Sequence, residues 1–225
     1  MNKITKRSDL IKLVVICGVF TALAYVCVCV FRIKVQFLTL DIKDAVITTA
    51  AMLINPIAGV FISLAVAFIE MITISDTMLY GFLMNFLSSA TFSVVASFIY
   101  RQKKSLIGAI LGLLCAAASV TAVMMVANLI ITPYFMKTTS KVVVSLIPKL
   151  LLPFNLTKAI LNCSIVMIIY KPISTALARA KLIKKQKETS SYRFGVKTLA
   201  VTLASLAVLA ICFVIFFVVF NAEIV

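Results

Sequence analysis

Apolar residues run along this chain in stretches too long and too frequent for a water-soluble core. Set against the polar breaks, they predict helical spans over roughly 10–31, 42–54, 57–75, 78–100, 105–132, 150–171 and 195–220. The second is too short for a comfortable crossing, so it is expected to be tilted, partly re-entrant or packed between neighbours. Pro56, in Ile54-Asn55-Pro56, breaks the pattern between the second and third spans. The polar segment 181–194, rich in Lys, Gln, Ser and Thr, reads as a linker. Three parts follow: a membrane domain over 1–180, the linker, and an extra C-terminal transmembrane helix in 195–225. That last helix is almost wholly apolar and reads as an added anchor or a partner-packing element. No internal repeat is visible, so an inverted-repeat transporter design has no support.

Composition agrees with a membrane protein. Of 225 residues 63% are hydrophobic, only seven are acidic, and mean hydropathy is +1.17. The net charge of +15 raises nucleic acid as a partner, but the bases cluster between the apolar spans, as cytoplasmic loops require. Placing the N terminus inside puts Lys3, Lys6, Arg7 and Lys12 in the cytoplasm. It does the same for Arg101, Lys103, Lys104 and the eight bases from Lys171 to Lys197. Arg32, Lys34, Lys43, Lys137, Lys141 and Lys149 fall outside, and Lys158 is left within a span. The first span has a basic lead and no small-residue cleavage site before Arg32, so it reads as a retained helix. The six cysteines lie in apolar runs without metal-ligand spacing and read as packing residues. There is no His and no G-x-x-x-x-G-K-[ST], which excludes the common zinc arrangements and ATP hydrolysis by a P-loop.

In this orientation the polar residues within spans collect on the outer side. Asn85 lies in span four, Asn128 near the outer end of span five, and Asn155 and Lys158 at the start of span six. A charge at membrane depth costs about 2.5–3.5 kcal/mol at a helix centre, so Lys158 is expected to hold something. Each residue also has a structural alternative. Asn128 can satisfy backbone near the helix end before Pro133, Asn155 can cap span six, Lys158 can snorkel and Asn85 can bridge helices. Their convergence favours an outward-facing pocket. Asp41 and Asp44 share a helix face and suit a Mg²⁺–diphosphate site, but no second acidic cluster accompanies them. Asp41 is read as the N-cap of the second span, with Asp44 in its first turn. Glu70 and Asp76 are expected to be solvated or paired with outer bases. Gly18 and Ala22, four residues apart on the first span, permit close helix approach, either for internal packing or for a membrane partner.

Several segments carry a resemblance. Phe37-Leu-Thr-Leu-Asp41 precedes the short second helix and Asn55-Pro-Ile-Ala-Gly59 forms the next turn. Met84-Asn85-Phe86, Ala118-Ser119, Met124-Met125-Val126-Ala127-Asn128 and Leu152-Pro153-Phe154-Asn155 follow. Over roughly 8–178 the chain resembles the substrate-binding S components of energy-coupling factor (ECF) vitamin transporters, and among them the riboflavin-specific type. The resemblance implies an all-α integral membrane protein: a six-helix S-component bundle, here with an additional C-terminal transmembrane helix. It implies an outward vitamin pocket closed by the loop after the first span, with no cofactor beyond the transported flavin. It also implies a complex with a transmembrane coupling subunit and two ATPases, in which Gly18 and Ala22 meet the coupling subunit. Carried over by motif, the flavin meets Asn128, Asn155 and Lys158, with Leu38, Thr39 and Leu40 from the outer loop and, more peripherally, Asn85 and Asp41. Phe37, Met84, Met125 and Phe154 supply apolar walls. Similar sequences often carry a basic residue in the third helix where this chain has Glu70. The alternatives are an S component for another vitamin, an integral membrane enzyme acting on lipid or prenyl substrates through Asp41 and Asp44, and a small structural or assembly protein.

Overall fold

A computed structural model of the chain describes residues 3–180, 182, 196–219 and 223–224. The segment read as a linker, 181–194, lies outside the described residues apart from Leu182. Helix α1 (Lys3–Val30) turns Ile16, Phe20, Ala24 and Val28 inward at four-residue spacing and leaves the opposite side exposed. A hairpin of β1 (Ile33–Val35) and β2 (Leu38–Leu40) follows, with Ile33 opposite Leu40 and Val35 opposite Leu38. Gln36, at φ 55°, supplies the left-handed residue of its two-residue turn. The sequence had suggested only a loop here.

Helix α2 (Lys43–Leu53) has every residue buried, enclosed by α1, α3, α4 and α7. Its 11 residues rise about 16 Å, half of a hydrocarbon core. Of the three expectations for this segment, packing between neighbours is the one found. Helix α3 (Pro56–Thr73) starts at a capped break: Asn55 Oδ1 accepts from the Ala58 N–H at 2.7 Å, and Pro56 occupies the first turn. Helices α4 (Met78–Gln102) and α5 (Leu106–Met136) form a long antiparallel pair, and α5 ends on left-handed Lys137. The next span begins earlier than the hydropathy suggests. Helix α6 (Ser140–Leu146) passes through a π-helical turn, Ile147–Leu151, into α7 (Leu152–Arg179). Pro148 and Pro153, which cannot donate backbone hydrogen bonds, flank the change of pitch.

Helix α8 (Val196–Val214) and a π-helical turn (Ile215–Val219) pack on α7, and β3 (Glu223–Ile224) joins the free side of β1. The extra C-terminal helix therefore covers this chain's own α7. Among the described residues six helical stretches are long and apolar enough to cross a membrane, α6 and α7 counting as one and α2 being excluded.

Two apolar clusters hold the bundle. The larger joins α1, α2, α3, α4, α5 and α7 and is closed at one end by the Tyr100 and Tyr170 hydroxyls, 2.7 Å apart. The smaller joins the hairpin, α7 and α8 through Ile33, Val35, Leu40, Phe154, Leu161, Cys212 and Phe216. All six cysteines are free.

Candidate substrate site

A cavity of about 290 Å³ lies beneath the hairpin, among α3, α4, α5 and α7. It falls near the lower end of the volumes that hold small molecules, about 300–1,000 Å³. Leu38, Thr39, Asp41, Asn85, Asn128, Asn155 and Lys158 all line it, from four elements far apart in sequence. Leu40 does not: it packs into the smaller apolar cluster, on the strand face opposite Thr39. Phe37, Met84 and Phe154 supply apolar wall, but Met124 takes the place expected of Met125, because a helix presents residues 124, 128 and 132 along one line. Gly18 and Ala22 sit on the exposed side of α1, away from the cavity.

The amides are held before any ligand arrives. Asn128 donates to the Met124 carbonyl at 2.7 Å and accepts from the Thr132 hydroxyl at 2.9 Å. Asn155 is not a cap. It lies inside continuous helix and donates to the Leu151 carbonyl at 2.7 Å. These contacts fix the side-chain angles and leave each amide with further hydrogen-bonding capacity.

Lys158 does not snorkel. Its ammonium donates to Asp41 Oδ2 at 2.9 Å and to the Thr39 carbonyl at 3.2 Å. Asp41 Oδ2 also lies 3.4 Å from Lys43 Nζ, and Lys43 reaches Glu70 Oε2 at 2.8 Å. Asn85 donates to the same Glu70 oxygen at 2.7 Å, and Asp44 accepts from the Ser89 hydroxyl. Of the two expectations for Glu70, pairing is the one found, and its partner is Lys43, one of the bases assigned to the outside; the two residues are 3% and 1% exposed, so the pair is buried and not solvated. Asp41 lies one residue before the N-cap position, which Ile42 occupies, but its Oδ1 accepts from the Lys43 N–H at the helix start, at 3.3 Å. Asn162 of α7 serves the helix start as well, accepting from the Ala45 N–H at 2.9 Å and donating to the Asp41 carbonyl at 3.4 Å. Asn155, Lys158 and Asn162 at i, i+3 and i+7 share one face of α7, a spacing from which Asn162 was legible. Asp41 and Asp44 are each committed to other side chains, so they do not converge as a diphosphate site would require.

At the mouth, Arg32 donates to the Ile74 carbonyl at 2.6 Å and Lys34 to Asp76 at 3.0 Å. Asp76 is paired as expected. The hydrogen bond and charge of Lys34, then the charge of Arg32, hold its carboxyl below the usual range. These contacts tie the hairpin to the α3–α4 turn.

A helical membrane bundle with a polar cavity beneath a short hairpin defines a membrane-embedded binding subunit. The family model described as "ECF transporter, substrate-specific component" matches residues 12–170, and the chain belongs to that family. A solved structure, of the S component of a bacterial ECF transporter, superposes with a TM-score of 0.63 at 24% identity, covering 76% of this chain and 98% of the other. No curated protein matches. The chain is thus a multi-pass transport subunit rather than an enzyme, and membership implies a transmembrane coupling component and ATPases as partners.

Proposed function

We propose that this S component captures riboflavin, or a closely related flavin, from outside the cell for ATP-driven uptake. The observation that carries this reading is the meeting of Asn128, Asn155 and Lys158 with Leu38 and Thr39 of the hairpin around one cavity. A flavin has flat rings that suit walls such as Phe37, Met84 and Phe154, and a polar edge that amides match. Lys158 has a third proton to offer beyond its two existing acceptors.

The N terminus is assigned to the cytoplasm, from the bases concentrated at the ends opposite the hairpin. Residues 1–180 form the binding unit, 181–194 the linker and 195–225 an added helix. Gly18 and Ala22 lie on the exposed side of α1 and suit close approach by the coupling subunit.

An absorption spectrum of the purified protein, with thermal stability measured with and without riboflavin, tests the ligand. Bound flavin, or clear stabilisation, is expected. A colourless protein that riboflavin does not stabilise, but another vitamin does, would move the assignment to that vitamin.

A further inference from the structure

Among the described residues that line the cavity, Glu70 has a buried side-chain oxygen with no hydrogen-bond partner. Its Oε2 accepts from both Lys43 and Asn85. Its Oε1 is buried and without a hydrogen-bond partner, on a residue 3% exposed that lines the cavity. A buried carboxylate oxygen left without a donor is costly, and such exceptions concentrate where a ligand completes the set. Around Glu70 the carboxylates of Asp41 and Asp44 are matched by the ammonium groups of Lys43 and Lys158.

Asn85 sharpens the ligand chemistry. Its bond to a carboxylate oxygen must come from the amide nitrogen, which fixes the orientation of the amide. That nitrogen retains a second N–H. A donor next to an acceptor is the complement of a ring edge carrying N–H next to C=O.

We propose that Glu70 and Asn85 form a specificity pair for a cyclic imide or lactam edge, with Glu70 Oε1 accepting the ring N–H and Asn85 donating to the adjacent carbonyl. This rests on the flavin reading, in which that edge is the imide of the isoalloxazine ring. The imide N–H is the most acidic neutral donor on a flavin, and hence the best partner for a carboxylate oxygen left without a donor. The pair also disfavours ligands that present a carboxylate at this position.

The test is a double-mutant cycle between protein and ligand, on the full chain in detergent. Binding of riboflavin and of 3-methylriboflavin, which lacks the imide N–H, is measured by flavin fluorescence quenching for the wild type and Glu70→Gln. Riboflavin is expected to lose about tenfold or more in affinity with the substitution, and the methylated ligand less than about threefold. An equal effect on both ligands, or none on either, would overturn the Glu70 assignment while leaving the flavin reading intact. A wild type that binds neither ligand overturns the flavin reading and this inference with it. If Glu70→Gln does not fold, Glu70→Ala is read by the same ratio.

Discussion

The Lys158 ammonium lies 2.9 Å from Asp41 Oδ2, joining the middle of one membrane helix to the residue at which the hairpin ends. The same ammonium donates to Thr39 within the hairpin. The residue that meets the substrate in our proposal therefore also holds the cover over the cavity. A buried ion pair adds little against an apolar replacement, but losing one partner strands the other. Lys158→Met should thus destabilise the protein by about 3 kcal/mol, near the low end for such losses because Asp41 retains Lys43. Adding Asp41→Asn should restore much of that stability without restoring flavin affinity. Thermal melting and flavin titration of the single and double variants check both halves. A double variant no more stable than Lys158→Met alone would show that the pair is not what is lost.

Asn162 offers a second measure of how α7 organises the hairpin end. Its amide closes the backbone at the start of α2 from both sides, accepting from Ala45 and donating to Asp41. Asn162→Leu would leave the Ala45 N–H with only its 3.3 Å bond to the Ile42 carbonyl, at a cost of about 1 kcal/mol. Flavin affinity should fall as well, because Asp41 and Lys158 share this arrangement. Asn162→Ser, which can still accept, should recover part of both in the same assays.

Phe216 of the last helix meets Phe154 edge-to-face, with ring centres 5.6 Å apart, and Phe154 lines the cavity. Beyond it, β3 hydrogen-bonds to β1 of the hairpin. Phe216→Ala should lower stability by at most about 3 kcal/mol, the bottom of the range for aromatic truncation, since lipid can replace part of the lost contact. Flavin dissociation should accelerate, as Phe154 loses its backing. Stopped-flow release of flavin separates this from a helix that serves only as an anchor, for which the rate would not change.

Much of this architecture was legible in the chain, for reasons that differ between elements. Long apolar runs must become helices in lipid because no other open structure satisfies the backbone there, so the spans followed from hydropathy. The Asn55-Pro56 break carried its own cap chemistry. Asn85, Asn128, Asn155 and Lys158 were visible because polar side chains are conspicuous in apolar runs. What escaped depended on tertiary partners. Glu70 looked like a rim residue because it ends an apolar run, and Lys43 like a loop base because it opens one. Only the fold sets them 2.8 Å apart in the interior. Met125 was misplaced by a single position, where helical phase decides which way a side chain faces, and Leu40 by the apolar cluster that takes it up.

The glycines give the last expectation. A Cβ on Gly112 would lie 2.8 Å from the Ala96 carbonyl oxygen, a backbone atom of α4 that cannot swing away. Gly112→Ala should therefore push α4 and α5 apart and cost about 1–3 kcal/mol, as overpacking does. At Gly18 a Cβ meets nothing within 4 Å, on the exposed side of α1. Gly18→Leu should leave the melting temperature and flavin affinity of the isolated subunit unchanged. If this side of α1 receives the coupling subunit, the same substitution should reduce recovery of the complex with its ATPases and abolish ATP-dependent uptake in vesicles. Normal uptake by Gly18→Leu would place the docking surface elsewhere. Loss of flavin binding by the isolated variant would instead mean that α1 is coupled to the cavity.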